Sequence, residues 1–259
     1  MSAAPNSQII KGVDILGVTV SAVNLATTLE VIESWIASRI SHYVCVTGVH
    51  GIMESYRDPE LMEIHNRAGL VTPDGMPLVW LSRRTFPYVG RVYGPDLVLA
   101  LCARSQDTGY RHFFYGATVP TLSTLQRRLI CRFPKLNIVG TFSPPFRSPS
   151  LEEDGQIVAR IKAAKPDVLW VGLSTPKQER WMANHVEKLG IPALIGVGAA
   201  FDFHAGVKRQ APLWMQRSGL EWTFRLATEP RRLWRRYLTN NPAFVYLILL
   251  DTFRRGLLG

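Results

Sequence analysis

Short apolar runs recur along most of the chain, and each is followed by a stretch whose apolar residues have helical spacing. A first run at 13–20 precedes a helical pattern over 25–36. Later runs predict strands at 43–47, 70–72, 112–115, 136–139, 168–173 and 193–197, with helical patterns near 51–68, 96–106, 118–132, 152–164 and 178–189. Strands that are apolar throughout and alternate with helices are typical of a mostly parallel sheet covered by helices on both faces. The sequence therefore predicts an α/β fold of this kind.

The pattern changes after Gly206. Residues 207–259 are rich in Trp and Arg and predict short helices followed by a longer one, with Pro212, Pro230 and Pro242 at starts or breaks. The chain has 30 Lys and Arg against 20 Asp and Glu, a net charge of +10, and this last segment carries +7 of it. Two parts of such different charge are expected to meet different partners. We therefore predict a core, 1–206, and a basic helical appendage, 207–259.

Several classes of protein are disfavoured by what the sequence lacks. Cys45, Cys102 and Cys131 do not have the spacing of metal ligands and are typical of reduced cysteines in a cytoplasmic protein. The N-terminus lacks a signal-peptide pattern, and no run of about 18 apolar residues predicts a membrane-spanning helix. No D-x-D sequence or other metal-ligand spacing occurs. We expect a cytoplasmic protein that uses no metal and no organic cofactor.

Polar residues follow the predicted strands, at the edge where parallel sheets bind ligands. Asp74 follows the strand at 70–72, and Thr47 and His50 come just beyond the apolar part of the strand at 43–47. Asp74 is placed either to accept a proton from an attacking hydroxyl or to cap the next helix. Thr47 and His50 either contact a phosphate or sugar or belong only to the turn.

A glycine pair follows the strand at 193–197. Gly196 and Gly198 form a G-x-G sequence, but Phe201 stands where a dinucleotide fingerprint has its next glycine, so NAD binding is weakly supported. The pair either lets backbone N–H groups approach a phosphate, with Asp202 on a ribose or base, or serves close packing of a strand against a helix. The pattern alone leaves both interpretations open.

Two further groups of polar side chains suit an anionic ligand. The segment 174–182 predicts a helix entry capped by Ser174 or Thr175, which leaves Lys177 and Gln178 at a helix N-terminus. In the appendage, basic and aromatic residues alternate. They are Trp222, Phe224, Arg225, Arg231, Arg232, Trp234, Arg235, Arg236 and Tyr237. A solvated helix seldom needs so many aromatic residues, so this series favours an anionic membrane surface or a pyrophosphate. No recognised nucleic-acid-binding motif is present, and we expect no nucleic-acid partner.

Six segments, taken in order, resemble the WecG/TagA/CpsF family of glycosyltransferases. They are TPDGMPLVW at 72–80, RVYGPDL at 91–97, FFYGA at 113–117, GLSTPKQERWM at 172–182, GVGAAFDFHAG at 196–206 and APLWMQRSGLEWTFRLATEPRRLWRRY at 211–237. The resemblance implies a Rossmann-like core with a C-terminal appendage. It also implies an inverting, metal-independent transfer from a UDP-sugar to a polyprenyl-diphosphate-linked acceptor. Peripheral attachment to the inner face of the cytoplasmic membrane is expected, and a homo-oligomer is left open.

The resemblance also implies roles for single residues. Asp74 matches the family's catalytic base, Thr47 its active-site threonine, and Gln178 the glutamine of its PKQE segment. The expected substrate-binding residues are His50, Arg91, Gly116, Lys177, Gly198, Asp202, Arg225, Arg231 and Arg232. Backbone N–H groups near Gly198 and arginines of the appendage are expected to stabilise the departing UDP.

One segment departs from the family pattern. Many members read T-x-N-x-E where this chain has Thr47-Gly48-Val49-His50-Gly51. Because this segment borders the expected sugar pocket, the change favours a hexose transferase of the exopolysaccharide type over an N-acetylmannosamine or uronic-acid transferase. Two other functional classes are kept as alternatives. One is a nucleotide-cofactor oxidoreductase, and the other is a non-catalytic module that binds membrane or nucleic acid.

Overall fold

The computed structural model describes residues 10–147 and 149–257, and it has the predicted α/β class. The strands are β1 (Gly12–Ile15), β2 (Val18–Ser21), β3 (His42–Thr47), β4 (Leu70–Pro73), β5 (Arg111–Gly116), β6 (Asn137–Phe142), β7 (Val168–Gly172) and β8 (Ala193–Gly196). Strands β3 to β8 form one parallel sheet in the order β4-β3-β8-β7-β5-β6. The prediction of a mostly parallel sheet is therefore confirmed.

Helices connect these strands and follow the last one. They are α1 (Leu25–Ser38), α2 (Val49–Arg57), α3 (Pro59–Asn66), α4 (Met76–Arg83), α5 (Gly94–Thr108), α6 (Val119–Arg132), α7 (Leu151–Ala163), α8 (Lys177–Leu189), α9 (Ala200–Ala205), α10 (Leu213–Arg217), α11 (Glu221–Thr228) and α12 (Pro230–Leu257). Helices α1, α5, α6 and α9 pack on one face of the sheet. Helices α2, α4, α7 and α8 pack on the other face, together with part of α12.

The parallel sheet has a topological switch point between β3 and β8. The two strands are neighbours, yet the helix after β3 packs on one face of the sheet and the helix after β8 packs on the other. The segments that leave the two strands therefore diverge and open a gap at their carboxyl ends. Ligands of open parallel sheets bind at such a switch point. The fold thus marks this gap as the candidate site.

The first apolar run does not form a single strand. The run at 13–20 forms a two-stranded antiparallel hairpin, with β1 paired to β2, and does not join the parallel sheet. Leu16 and Gly17 both have positive φ angles, 53° and 90°, which is the backbone of a tight two-residue turn. The hairpin covers the β4 edge, where the Val71 N–H donates to Ser21 Oγ at 3.0 Å.

The long helix predicted over 51–68 is two helices. Asp58 accepts a hydrogen bond from the Leu61 N–H at 3.1 Å and caps α3, and Pro59 is its first residue. A proline disfavours the helical backbone for the residue before it, so α2 ends there. The predicted cap of α8 is also wrong. No side chain caps this helix, and the Thr175 hydroxyl instead donates to the Glu179 carboxylate.

The appendage is helical, as its composition predicts. Pro212 precedes α10 and Pro230 begins α12, but Pro242 lies inside α12 and does not end it. Leu233, Tyr237 and Phe244 are buried on one face of α12, which packs along α2. The helix continues through Pro242 although a proline has no backbone N–H to donate. None of the helices in the described part of the chain is long and apolar enough to cross a bilayer.

Candidate functional site

A cavity of about 1100 Å³ lies at the carboxyl ends of β3, β4 and β8, beneath helices α10 to α12. Its walls come from both the core and the appendage. The polar and charged residues that line it include His50, Asp74, Arg91, Gln178, Gln216, Glu221, Arg225, Arg232, Arg236 and Asn240. The appendage therefore closes a space that the core by itself would leave open.

Asp74 faces this cavity, and its Oδ1 makes one long ion-pair contact, 3.5 Å from Arg91 Nη2. Its backbone N–H donates to the Thr47 carbonyl at 2.9 Å, which joins the ends of β3 and β4. Helix α4 has Gly75 at its cap position and no side-chain cap, so the capping interpretation of Asp74 is wrong. Asp74 Oδ1 is buried without a hydrogen-bond partner. Such an oxygen is available to a ligand that enters the cavity.

The surroundings of Asp74 make its carboxylate more basic than usual. Burial, together with the negative charge of Glu221, raises the pKa of Asp74 to about 6 against the opposing charges of Arg91 and Arg225. A general base works best when its pKa lies near the working pH, because it is then both ionised and strong enough to accept a proton. The electrostatics therefore suit proton transfer at this carboxylate.

Arg91 connects the core to the appendage. Its Nε donates to the Asp74 carbonyl oxygen, its Nη1 to Gln216 Oε1 at 3.3 Å, and its Nη2 to Glu221 Oε2 at 2.5 Å. The guanidinium carbon lies 4.1 Å from the centre of the Tyr93 ring. Gln216 and Glu221 belong to the appendage, so this one side chain joins both parts of the chain at the cavity.

Three arginines of the appendage present positive charge to the same cavity. Arg225 lies on α11, and Arg232 and Arg236 lie one turn apart on α12. The Nε atoms of Arg225 and Arg236 are buried without a hydrogen-bond partner. Burial, helped by the charges of Arg225 and Arg232, lowers the pKa of Arg236 to about 10. Cations gathered in this way, with donors unused, favour a ligand with several negative charges such as a diphosphate.

His50 is a neutral hydrogen-bonding group. Burial, followed by the charges of Arg236 and Arg57, lowers the pKa of His50 to about 3. Its Nδ1 lies 3.0 Å from Asn240 Nδ2, and Asn240 Oδ1 accepts from Arg57 at 2.7 Å. Because Asn240 offers a donor to Nδ1, the ring proton resides on Nε2. His50 therefore does not titrate near neutral pH, and it connects α2 to α12.

Thr47 and Gln178 lie closer to the framework of the site than to its open space. The Thr47 hydroxyl contacts His65 Nε2 at 3.1 Å and the Cys45 carbonyl at 3.2 Å, and Thr47 is absent from the cavity wall. Gln178 Oε1 accepts the Gly198 N–H at 3.0 Å, and its Nε2 donates to Glu179. The Gly198 N–H, expected to face a phosphate, is thus engaged within the protein. Catalytic roles for Thr47 and Gln178 stay predictions.

Four other predicted substrate-binding residues do not line the cavity. A Cβ at Gly116 would lie 2.4 Å from the Gly172 carbonyl oxygen, so this glycine lets β5 and β7 approach closely. Lys177 and Arg231 are exposed on the outer surfaces of their helices. Asp202 is paired with Lys208 at 2.9 Å. The structure therefore gathers only part of the predicted set: His50, Asp74, Arg91, Gln178, Gly198, Arg225 and Arg232.

The predicted set lacked several polar residues that line the cavity, among them Gln216, Glu221, Arg236 and Asn240. A helical period counted from Pro230 could have found two of them, because residues four apart share one face of a helix. Positions 232, 236 and 240 share the inner face of α12, whereas 231 and 235 lie outside. No such sequence spacing indicates Glu221, because its partner Arg91 is distant in the sequence.

Comparison with known proteins adds to this geometry. A family model described as "Glycosyl transferase WecG/TagA/CpsF family" matches residues 13–257. A Staphylococcus aureus protein named N-acetylglucosaminyldiphosphoundecaprenol N-acetyl-beta-D-mannosaminyltransferase is 28% identical over 239 residues, which cover 91% of each chain. A Bacillus subtilis protein of the same name is 27% identical over 219 residues, which cover 83% of each chain.

Proposed function

Because this chain belongs to the WecG/TagA/CpsF family of glycosyltransferases, we propose that it is an inverting enzyme that uses a UDP-sugar. It transfers a hexose or an N-acetylhexosamine to a polyprenyl-diphosphate-linked saccharide during synthesis of a surface polysaccharide. The names of the Staphylococcus and Bacillus relatives support a lipid-diphosphate-linked acceptor and add weight to an N-acetylhexosamine donor. The departure at His50 is the argument for a hexose.

One observation carries this proposal. Asp74, whose Oδ1 accepts no hydrogen bond, shares a single cavity with Arg225 and Arg236, whose buried Nε donors have no partner. A base and a diphosphate-binding group are the two functions that a transfer from a sugar nucleotide requires. A non-catalytic binding module needs no such base, and an oxidoreductase needs a cofactor site for which the sequence has no full fingerprint.

The chemistry follows from this arrangement. The acceptor hydroxyl attacks the anomeric carbon from the face opposite UDP, and Asp74 takes its proton. The bond from the anomeric carbon to the phosphate oxygen breaks, and its electron pair leaves with UDP. Arg225, Arg232 and Arg236 stabilise the negative charge that develops on the departing diphosphate. In this proposal the guanidinium groups supply the positive charge that a divalent cation supplies in many other transferases.

A panel of UDP-sugars tests the function. We expect UDP release with one of UDP-N-acetylmannosamine, UDP-N-acetylglucosamine or UDP-glucose, only when a lipid-diphosphate-linked sugar acceptor is present. Because arginines replace the metal in this proposal, excess EDTA is expected to leave the rate unchanged. The assay measures UDP release, and product mass identifies the sugar. Loss of activity in EDTA would remove the metal-independent mechanism, and a thermal shift with NAD(P) but not UDP would favour the oxidoreductase.

We also propose that the appendage attaches the enzyme to the membrane peripherally. One face of α12 exposes Leu238, Tyr246, Leu249 and Phe253, each with more than half of its surface accessible, and the first three also line the cavity. Exposed arginines flank this apolar face at 231, 235 and 254. Interfacial helices combine apolar burial with attraction of basic residues to anionic lipid. Such an arrangement would bring the cavity to the lipid-linked acceptor.

Vesicle sedimentation tests this attachment. We expect the protein to sediment with phosphatidylglycerol vesicles at low salt and to be released as salt rises, because each basic residue near the surface contributes only about 1 kcal/mol. The double substitution Leu249→Gln and Phe253→Gln removes apolar contact and should weaken sedimentation clearly. Val119→Gln, an exposed apolar residue on α6, is the matched control. Equal sedimentation of the double variant and the wild type would contradict the proposal.

A further inference from the structure

The guanidinium group of Arg91 is fully engaged, and its ion pair with the Asp74 carboxylate is the longest of its polar contacts. Its Nε, Nη1 and Nη2 bind the Asp74 carbonyl, Gln216 and Glu221 respectively. The Asp74 carboxylate lies 3.5 Å from Nη2, beyond the Glu221 carboxylate at 2.5 Å. Two carboxylates therefore compete for one nitrogen, and the appendage residue has the shorter contact.

This competition matters because the alternative pairing would weaken the base. The side chains of Arg91 and Glu221 are only 16% and 15% exposed, so their charges are poorly screened by water. A carboxylate that pairs closely with an arginine typically has its pKa lowered by about 1–3 units. If Arg91 turned its Nη2 to Asp74, the carboxylate would hold its charge more tightly and accept a proton less readily.

We propose that Glu221 is a positioning residue: it takes the short contact of Arg91 Nη2, keeps the Arg91–Asp74 ion pair long, and so leaves the Asp74 carboxylate able to take a proton from the acceptor. Glu221 lies on α11, in the appendage, whereas Arg91 and Asp74 lie in the core. Docking of the appendage thus completes the base as well as the diphosphate site. Glu221 itself does not touch the reacting atoms.

The charged groups that face Asp74 act in opposite directions, and Glu221 opposes the two arginines. Arg91 faces it from the segment before α5, and Glu221 and Arg225 face it from one side of α11, four residues apart. Tyr93 lies under the Arg91 guanidinium, with its hydroxyl buried. Of these groups, Glu221 is the one that both repels a charge on Asp74 and occupies its cationic neighbour.

The inference rests on the proposed function, but its test does not require activity. The side-chain carboxyl carbon of Asp74, labelled with ¹³C and identified by its absence in Asp74→Asn, is titrated by NMR in wild type and in Glu221→Gln. We expect the Asp74 midpoint to fall by about one pH unit or more in Glu221→Gln, because Arg91 becomes free to pair with Asp74. Glu221→Asp keeps the charge and should retain a midpoint nearer that of the wild type.

Two comparisons separate this role from a merely structural one. If the enzyme is active, the acid limb of its pH–rate profile should move to lower pH in Glu221→Gln by the same amount as the NMR midpoint. Glu33→Gln, which breaks the remote Glu33–Arg104 pair, should leave both curves unchanged. An unchanged Asp74 midpoint in a folded Glu221→Gln protein would overturn the inference. An inactive wild type with the expected NMR shift would contradict only the proposed function.

Discussion

Replacing Asp74 by Asn is expected to lower turnover by roughly 10²–10⁴-fold and to leave UDP binding nearly unchanged. The substitution keeps the shape of the side chain and removes its ability to accept a proton. The guanidinium groups proposed to bind UDP belong to other residues, so the nucleotide should still bind. Steady-state UDP release measures turnover, and calorimetric titration with UDP measures binding. Asp107→Asn, an exposed carboxylate outside the cavity, is the control.

The pH dependence of activity is a second test of Asp74 as the general base. In the wild type, activity should rise with pH through a midpoint near 6, because Asp74 must lose its proton to act as a base. His50, whose pKa is lowered to about 3, does not contribute a limb in this range. A rate that is flat from pH 5 to pH 8 in the wild type would contradict the role of Asp74.

The melting temperature of Asp74→Asn shows whether the variant has lost only catalysis or also its fold. The pKa of Asp74 is raised in the folded protein, so the folded state binds this proton more tightly than the unfolded chain does. The ionised carboxylate therefore costs stability, and the cost develops as pH rises from the ordinary carboxyl range to about 6. At pH 8 we expect Asp74→Asn to unfold at the same temperature as the wild type or higher. A marked fall in melting temperature would indicate a structural role instead.

Replacing Arg225 or Arg236 by Gln is expected to lower kcat by about 10²–10³-fold, the usual effect of losing a donor to charge that develops in the transition state. Both guanidinium groups face the cavity with an unpartnered Nε. The assay should use a short-chain acceptor in detergent, so that membrane attachment does not affect the rate. A combined loss smaller than the product of the single losses would show that the two groups act on the same diphosphate.

The double substitution Arg209→Gln and Arg217→Gln is the matched control for these variants. Both residues are exposed in the appendage and neither lines the cavity, so this variant loses charge without losing a proposed ligand contact. Its rate should stay within about twofold of the wild type, as is usual for surface changes. Because burial lowers the pKa of Arg236, Arg236→Gln should fold at least as stably as the wild type. Equal losses in the control and in the cavity variants would contradict a specific role for Arg225 and Arg236.

Much of the fold was determined by the sequence alone. Continuous apolar strands alternating with amphipathic helices have one common solution, a parallel sheet covered on both faces. The carboxyl ends of such strands lie at one edge, so Asp74, His50 and Gly198 were predicted to meet, and the structure places all three on one cavity. The division between core and appendage after Gly206 stays a prediction.

Only the tertiary structure decided which side chains face the cavity. The rotation of α12 about its axis buries Leu233 and Phe244, and it places Arg232 and Arg236, but not Arg231, on the cavity wall. The contact of Glu221 with Arg91 joins residues that are 130 positions apart. Local spacing carries no information about such a pair, because its geometry arises only when the appendage closes over the sheet.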